Sequence, residues 1–268
     1  MTKNIFDVSG TVVLVSGASR GIGESLALGF SERDANIIIT GRDAETLAEA
    51  VKRINVGKGT VEGVVCDVTD ESSIDACVDQ VVETYGRIDT LINCAGVNIR
   101  KPATEFSGED YDFIFNINMR GAFLMSKKVG LQMIKQGSGS QINIDSLTSD
   151  VPINQIVPYS MSKSAMSSMS RGLASEWGPH GVRVNSLAPG FIHTELTKKL
   201  WSQPNMKAWG KVVTPLQRMG NPEDLVGTAI FLASSAAAYI TGQVIRVDGG
   251  ISAGIHWPIA DDFQVTNS

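Results

Sequence analysis

A tyrosine and a lysine stand four residues apart in the run Tyr159-Ser160-Met161-Ser162-Lys163, where a helix is expected to begin. On a helix this spacing puts both side chains on one face, one turn apart. A free phenol, with a pKa of about 10, is a poor proton relay at neutral pH, and a neighbouring ammonium favours the phenolate. The pair therefore predicts a general acid/base, Tyr159, whose pKa Lys163 lowers. For an isolated pair of this kind, an exposed lysine beside an interfacial tyrosine would be the better interpretation, so further motifs must decide.

A glycine-rich turn lies between the first predicted strand and the first predicted helix. Its run, Gly17-Ala18-Ser19-Arg20-Gly21-Ile22-Gly23, lets the backbone approach a pyrophosphate, while the free amides at the helix start attract its charge. The G-x-x-x-G-x-G spacing differs from the G-x-G-x-x-G fingerprint of dinucleotide-binding proteins. A dinucleotide site is predicted, with a purely structural turn as the alternative.

The same turn has a second chemical interpretation. It fits the G-x-S-x-G nucleophile elbow of α/β hydrolases, with Ser19 as nucleophile and His256 as base. However, the elbow would fall on the first strand, no His-Gly-Gly-Gly oxyanion loop accompanies it, and Pro258 in a terminal tail is a poor frame for His256. A hydrolase is therefore the remote alternative. The three histidines, His180, His193 and His256, lie far apart without a metal-ligand motif, so no metal site is predicted.

These residues need a frame, and short β-branched runs alternating with amphipathic stretches predict βαβ units and a parallel sheet. The predicted strands are Val12–Val15, Asn36–Thr40, Val61–Val65, Thr90–Asn93, Gln141–Ile144, Arg183–Ala188 and Val244–Val247. The predicted helices begin near Ile22, Ala44, Ser72, Asp110, Tyr159 and Pro222. No linker or repeat interrupts the series. The predicted fold class is α/β: a doubly wound, Rossmann-like, seven-stranded parallel sheet with helices on both faces, in a single domain over residues 1–268.

One connection is unusually long. The stretch from Pro189 to Gly220 carries Trp201 and Trp209, and we expect a substrate lid over about residues 190–220. A surface excursion whose tryptophans pack on the body would give the same pattern. Residues 252–268 are predicted to form a C-terminal tail.

Composition narrows the possible partners. The chain has 23 lysines and arginines against 28 acidic residues, a net charge of −5, and 43% hydrophobic residues. Because the basic residues are scattered, neither nucleic acid nor a membrane surface is an expected partner. The three cysteines show no paired spacing and are expected to be reduced packing residues. With no signal or membrane segment visible, a cytoplasmic location is expected.

Taken together, the motifs resemble the short-chain dehydrogenase/reductase family, in the branch of about this length. The resemblance covers nearly everything from Phe6 to Gly254 and, in family order, involves Gly17 to Gly23, Asp67-Val68, Asn93-Cys94-Ala95-Gly96, Asn118, Ser146, Tyr159, Lys163, Pro189-Gly190, Thr194 and Val247-Asp248-Gly249-Gly250. The implied catalytic residues are Asn118, Ser146, Tyr159 and Lys163. The implied cofactor-binding residues are Gly17, Ser19, Arg20, Gly21, Ile22, Gly23, Arg42, Asp67, Val68, Asn93, Ala95, Gly96, Tyr159, Lys163, Pro189, Gly190, Ile192 and Thr194.

The resemblance implies an oxidoreductase that transfers a hydride between a nicotinamide cofactor and a carbonyl or alcohol. Ser146 and Tyr159 would bind the substrate oxygen, and Tyr159 would give it a proton. Lys163 would bind the nicotinamide ribose, and Asn118 would hold a water that links Lys163 to solvent. A non-catalytic, cofactor-sensing relative would share the fold, but such proteins tend to lose this set of four.

Three positions depart from the family pattern. Ser16 stands where threonine is usual, Cys94 replaces the second asparagine, and Asp145 takes the place of a common serine. The first two changes are conservative. Asp145 either perturbs the site or points away into a hydrogen-bond network, and strand alternation favours the second arrangement.

The cofactor is predicted to be NADP(H). Family members that prefer NAD commonly have an acidic residue where Gly41 stands, whereas Arg42 and Arg20 suit a 2′-phosphate. The alternative is NAD(H), with Asp43 on the ribose hydroxyls. We favour Asp43 as the cap of the next helix.

The substrate is expected to be a small carbonyl or alcohol, in a pocket lined in part by Leu147, Val151 and the 190–220 lid. The spacing is similar to gluconate-type sugar-acid dehydrogenases, acyl-carrier-protein ketoreductases and ketone reductases. A carbonyl reductase is the main prediction and an NAD-dependent sugar-acid or polyol dehydrogenase is the alternative. The resemblance also implies a homotetramer in which the His256-Trp257-Pro258 tail reaches a neighbouring site.

Overall fold

The computed structural model describes residues 4–254, apart from the side chain of Leu196. A seven-stranded, all-parallel sheet forms its centre, with the strand order β3-β2-β1-β4-β5-β6-β7. The strands are β1 (Val12–Ser16), β2 (Asn36–Gly41), β3 (Val61–Val65), β4 (Thr90–Asn93), β5 (Gly139–Ile144), β6 (Val182–Pro189) and β7 (Val244–Val247). Their β-branched runs suit strands covered on both faces. The order reverses between β1 and β4, which opens a crevice at the carboxyl ends of these strands.

Helices cover both faces of the sheet, in one domain. They are α1 (Gly21–Ser31), α2 (Ala44–Ile54), α3 (Glu71–Tyr85), α4 (Gly108–Phe115), α5 (Ala122–Gln136), α6 (Val157–Trp177), α7 (Glu195–Trp201), α8 (Pro204–Val213) and α9 (Val226–Ala233). One apolar cluster joins α1, α2 and α9 to one face, around Phe30 and Ile39. A second joins α3, α5 and α6 to the other, around Leu91 and Met125. The predicted doubly wound α/β fold is confirmed.

The predicted elements differ from the observed ones mainly at their ends. Each predicted strand lies within an observed one, and β5 begins two residues earlier, at Gly139. The helix predicted to begin near Asp110 begins at Gly108 and continues through a π-helical turn, Asn116–Gly121, into α5. The helix predicted to begin near Pro222 starts with a 3₁₀ turn, Pro222–Leu225, before α9. These differences reflect backbone hydrogen bonding that apolar periodicity does not encode.

The long connection after β6 contains α7 and α8, which the sequence pattern did not predict. Phe191 lies at its base, with its ring centroid 5.0 Å from that of Trp201 and 5.3 Å from that of Trp209. Trp201 is buried whereas Trp209 is exposed. The connection is therefore an ordered, aromatic-packed segment that adjoins the crevice. Most of the predicted tail, with His256, lies outside the described residues.

Two further features of residues 4–254 bear on the class of protein. None of their helices has the length and apolar character needed to span a membrane. The thiols of Cys66, Cys77 and Cys94 are free, and the first two are buried.

Candidate active site

A cleft of about 370 Å³ opens at the carboxyl ends of the strands. Most of the predicted site residues line it together: Gly17, Ser19, Arg20, Gly21, Ile22, Gly23, Arg42, Asp67, Val68, Ala95, Gly96, Ser146, Tyr159, Lys163, Pro189, Gly190, Ile192 and Thr194. Asn93 and Asn118 lie behind its wall. One continuous site thus joins the glycine-rich turn to the Tyr159–Lys163 pair.

The glycine-rich turn approaches Ala95, just after β4, so closely that a side chain at Gly17 is excluded. Gly17 has a φ of +66°, and a Cβ there would lie 2.6 Å from the Cα of Ala95. Ser16, at the end of β1, accepts hydrogen bonds from the backbone N–H groups of Cys94 at 3.1 Å and Ala95 at 3.4 Å. Its hydroxyl holds the two segments together, so the exchange of threonine for serine keeps the polar group.

The first turn of α1 is not capped at its N-terminus by the side chain of its N-cap residue, Arg20. Free N–H groups and the helix dipole favour a pyrophosphate there. Nearby, the buried hydroxyl of Thr40 lines the cleft and has no hydrogen-bond partner among the described residues. The donor set and the close backbone approach fit a nicotinamide dinucleotide.

At the end of the cleft away from Tyr159, the charged side chains in and near the β2–α2 turn bear on the choice between NADP(H) and NAD(H). Arg20 and Arg42 are exposed, line the cleft and form no ion pair within residues 4–254. Asp43 caps α2, since its Oδ1 accepts a hydrogen bond from the Thr46 N–H at 2.8 Å. The two Thr46 hydrogen bonds lower the pKa of Asp43. The predicted capping role of Asp43 is confirmed, and both arginines remain available to an anion.

Ser146 and Tyr159 meet where β5 and α6 converge. Ser146 follows β5, and its Oγ accepts a hydrogen bond from the Thr148 N–H at 3.1 Å. Burial raises the pKa of Tyr159 to about 12, whereas hydrogen bonding with Ser146 and the charge of Arg100 oppose that rise. The expectation that Lys163 lowers this pKa stays a prediction. Loss of water around the phenol outweighs the favourable charges.

Lys163 is buried and points at the strand beneath it. Its Nζ donates to the carbonyl oxygen of Ile144 at 2.7 Å and lies 5.8 Å from the centroid of the Tyr159 ring. Burial lowers the pKa of Lys163, while the carboxylate of Asp145 and, once it ionises, the thiol of Cys94 raise it. The predicted placement of Tyr159 and Lys163 in one site is observed, one turn apart on α6.

The two asparagines support the site from behind. Asn118 is fully buried in the π-helical turn, where its side chain accepts from the Val97 N–H at 2.8 Å and donates to the Val97 oxygen at 3.0 Å. It also donates to the Ser162 hydroxyl at 3.0 Å. Asn93 donates to Ser126 and Asn143 at 2.8 Å. Asn118 fixes the loop after β4, whereas Asn93 ties the end of β4 to α5 and β5. The water-holding role of Asn118 stays a prediction.

Asp145 does point into a hydrogen-bond network. Its carboxylate is buried and accepts hydrogen bonds from the Ser146 N–H at 2.9 Å and from the hydroxyls of Ser149 and Ser167. Burial raises its pKa, and those hydrogen bonds and the charge of Lys163 oppose the rise. Because Asp145 also lines the cleft, it belongs to the network and to the site at once.

Sequence reasoning missed several residues of the cleft wall. The additional lining residues are Thr40, Cys66, Val97, Ile117, Ile144, Glu195 and Thr197. The strand-end residues among them were predictable in kind, because the carboxyl ends of parallel strands meet at one edge. Glu195 and Thr197 belong to α7, whose presence the sequence pattern did not indicate.

The fold and this cleft together define a Rossmann-type oxidoreductase that uses a nicotinamide dinucleotide. The family model described as Enoyl-(Acyl carrier protein) reductase matches residues 17–252. The chain belongs to the short-chain dehydrogenase/reductase family. It is thus an enzyme that transfers a hydride between the cofactor and a carbonyl or alcohol carbon, and the hydrolase alternative is set aside.

Curated relatives match over almost the whole chain. A gluconate 5-dehydrogenase of Gluconobacter oxydans is 38% identical over 252 residues, covering 94% of this chain and 98% of the relative. A D-threitol dehydrogenase of Mycolicibacterium smegmatis is 39% identical, covering 91% and 94%. The crystal structure of a gluconate 5-dehydrogenase from Burkholderia cenocepacia, in complex with NADP and tartrate, has a TM-score of 0.90 at 34% identity, covering 94% of this chain and 98% of that one.

Proposed function

We propose that this enzyme interconverts a secondary alcohol and a ketone in a sugar acid, with NADP(H) as cofactor and Tyr159 as general acid/base. The observation that carries the substrate class is Arg100. Its side chain is exposed, its charge lowers the pKa of Tyr159, and it forms no ion pair within residues 4–254. A guanidinium whose charge acts on Tyr159 suits a substrate carboxylate bound near that phenol. The relatives that act on gluconate, and the tartrate in the related structure, support the same class.

The choice of NADP(H) is supported by the two unpaired arginines at the far end of the cleft. Arg20 and Arg42 each carry a planar, permanently charged guanidinium, a group that binds phosphate oxygens well. Asp43, the residue that would favour NAD(H), already holds the first turn of α2 through Thr46. The complex of the Burkholderia relative with NADP agrees with this choice.

When bound, the nicotinamide supplies or accepts the hydride. Ser146 and Tyr159 hold the substrate oxygen, and Tyr159 donates its proton to that oxygen during reduction. Lys163 would bind the ribose hydroxyls of the cofactor, and the Ile144 carbonyl holds its ammonium in place. Asn118 holds the loop at Val97, and with it the wall of the reacting end.

The first test uses a substrate panel of ketones, keto acids, sugar acids and neutral polyols, assayed with NADPH and NADH or their oxidised forms. We expect the highest kcat/KM for a sugar acid or its keto form with the phosphorylated cofactor. Tyr159→Phe should remove most turnover and leave cofactor binding unchanged. Near-normal rates in that variant would refute the acid/base assignment, and preference for a neutral polyol would refute the substrate class.

The role of Arg100 has a matched control one residue along the chain. Arg100→Gln should raise KM for a sugar acid by about 10- to 100-fold, the effect of one lost charged hydrogen bond. It should leave KM for a neutral polyol unchanged. Lys101→Gln removes the same charge from a side chain already paired with Asp110, so it should not discriminate between the two substrates. Equal losses for both substrates in Arg100→Gln would exclude carboxylate recognition.

The cofactor assignment is tested in the same way. Arg42→Gln should weaken NADPH binding by about tenfold or more and spare NADH, because only the former carries the 2′-phosphate. Lys135→Gln, an exposed site on α5, serves as a control for loss of surface charge. Unchanged discrimination between the two cofactors would overturn the proposed arginine clamp.

We also propose a homotetramer in the cytoplasm, with residues 190–220 acting as a substrate lid. Apolar side chains exposed on α4 and α5, namely Tyr111, Phe113, Phe123 and Leu131, support an interface between subunits. Free cysteines agree with a reducing compartment. The placement of Glu195 and Thr197 in the cleft wall supports the lid. Light scattering that finds a monomer would reject the tetramer.

A further inference from the structure

A buried aspartate, Asp145, directly follows β5, the strand whose end lies against Tyr159 and Lys163. Asp145 is 3% exposed and lies between Ile144, whose carbonyl binds the Lys163 ammonium at 2.7 Å, and Ser146. Its carboxylate takes the backbone N–H of Ser146 at 2.9 Å and the hydroxyl of Ser167 from α6. The same carboxylate contacts Ser149 in the 3₁₀ turn Leu147–Ser149. One side chain thus ties β5, that turn and α6 together at the reacting end of the cleft.

We propose that Asp145 is a positioning residue whose negative charge sets the pH range in which the Tyr159–Lys163 pair works, while its hydrogen bonds fix Ser146. The proposal rests on the proposed role of Tyr159 as the acid/base. A hydroxyl in this place, as the family commonly has, could keep the hydrogen bond to Ser146 but could not supply the charge. The carboxylate therefore gives this chain an electrostatic setting of its own.

Few charged side chains act on Tyr159, Lys163 and Asp145. Asp145 raises the pKa of both Tyr159 and Lys163. Arg100 lowers the pKa of Tyr159. The thiol of Cys94 raises the pKa of both groups only once it ionises, and burial raises its own pKa to about 12. Lys163 is the charged side chain that acts on Asp145 itself. Ser146, Ser149 and Ser167 face the carboxylate as neutral groups.

The sign of the expected effect follows from these directions. Oxidation of the alcohol needs the phenolate of Tyr159 and the ammonium of Lys163. Loss of the Asp145 charge makes the phenolate easier to form and the ammonium easier to lose. Both limbs of the pH profile should then move to lower pH, by about half to one pH unit for one charge in a partly buried site. A merely structural residue would scale the profile down without moving it.

The experiment compares kcat/KM for alcohol oxidation against pH in the full enzyme, in Asp145→Asn and in Ser167→Ala. Asp145→Asn keeps the shape of the side chain and removes its charge, and we expect its profile to lie at lower pH. Ser167→Ala removes one hydrogen bond to the carboxylate and keeps the charge, so its profile should not move to lower pH. Coincident profiles for Asp145→Asn and the unaltered enzyme, or equal acid shifts in both variants, would overturn the proposal.

A second variant and a second readout keep the test decisive. Asp145→Ser, neutral but able to bind the Ser146 N–H, should shift the profile in the same direction. Ionisation of Tyr159, followed by phenolate absorbance against a Tyr159→Phe background, should also begin at lower pH without Asp145, with no substrate present. A shifted titration in a protein that oxidises no alcohol would refute the proposed function and leave the Asp145 assignment standing. Failure of both neutral variants to fold would show a structural role and reject the assignment.

Discussion

The ammonium nitrogen of Lys163 lies 5.8 Å from the ring centroid of Tyr159. The two side chains share one face of α6, but the ammonium is held by the Ile144 carbonyl at 2.7 Å, at the end of β5. The hydrogen bond of the ammonium is therefore made to the sheet, and burial is the largest influence on the pKa of the phenol. Burial raises the pKa of Tyr159 to about 12.

This raised pKa predicts opposite pH dependences for the two directions of reaction. Reduction needs the protonated phenol, so its kcat/KM should stay constant across pH values of about 6 to 9. Oxidation needs the phenolate together with the Lys163 ammonium, so its kcat/KM should rise by about tenfold per pH unit until the pH at which that ammonium is lost. Steady-state rates in both directions, at several pH values, check the prediction. A reduction rate that falls through the neutral range would contradict it.

The closest backbone approach in the site gives a prediction about cofactor binding. Gly17→Ala would place a Cβ 2.6 Å from the Cα of Ala95 in a left-handed residue with φ of +66°. We expect destabilisation by about 3 kcal/mol, from overpacking and from the left-handed conformation together, and a loss of cofactor binding. Chemical denaturation and a cofactor fluorescence titration measure the two effects.

Gly10→Ala is the matched control for this variant. Gly10 has a similar φ of +70°, but nothing lies within 4 Å of a Cβ there. It should lose only the conformational part, about 1 kcal/mol, and bind the cofactor normally. Equal effects at both positions would show that the approach of Gly17 to Ala95 is unimportant.

The sheet, the Tyr159–Lys163 pair and the glycine-rich turn were predictable because each depends on residues that are close together in the sequence. Strands buried on both faces need apolar, β-branched runs, and the runs at Ile37–Ile39 and Val12–Val15 carry that signal in their own residues. A tyrosine and a lysine four residues apart on a helix must share a face. Glycine has no side chain to exclude a phosphate, so the turn from Gly17 to Gly23 predicts a phosphate-binding site from its own residues.

What escaped prediction depends on partners far away in the chain. The π-helical turn at Asn116–Gly121 holds Asn118 against Val97, a residue on another loop. The pKa of Tyr159 depends on burial by several segments, which no pair spacing reveals. Asp145 is in the same class, because its partner Ser167 lies 22 residues away on α6. Alternation indicated that its side chain enters a network, and only the fold supplies the donors.

A strained loop beside the cleft gives a stability prediction. Gln155 has a left-handed φ of 65°, and its carbonyl accepts a hydrogen bond from the Lys101 N–H at 2.9 Å. Gln155→Gly keeps that bond and removes the penalty of a Cβ, so we expect an increase in the free energy of unfolding of about 0.5 kcal/mol. Thermal and chemical denaturation measure it. Asn154→Gly, at a neighbour without positive φ, should lower stability, and a gain there as large as at Gln155 would argue against strain.

The ion pair between Arg218 and Asp224 predicts a pH-dependent contribution to stability. Its two hydrogen bonds are 2.6 and 2.8 Å long, and together with the Asn221 N–H they lower the pKa of Asp224 to about 2. Because this pKa is lowered, the ionised carboxylate of Asp224 contributes its full stabilisation above pH 3.8, the ordinary pKa of the group. The contribution is lost as the pH falls toward about 2. Because Arg218 is half exposed, screening reduces the expected contribution to about 1 kcal/mol. Asp224→Asn should therefore be less stable than the unaltered protein at neutral pH, and the difference should shrink in acid. Denaturant unfolding from pH 7 downward measures this difference. Glu223 forms no ion pair within residues 4–254, so Glu223→Gln is the control. A constant difference between Asp224→Asn and the unaltered protein across that pH range would mean that the loss of stability comes from the turn at Asn221 rather than from the charge.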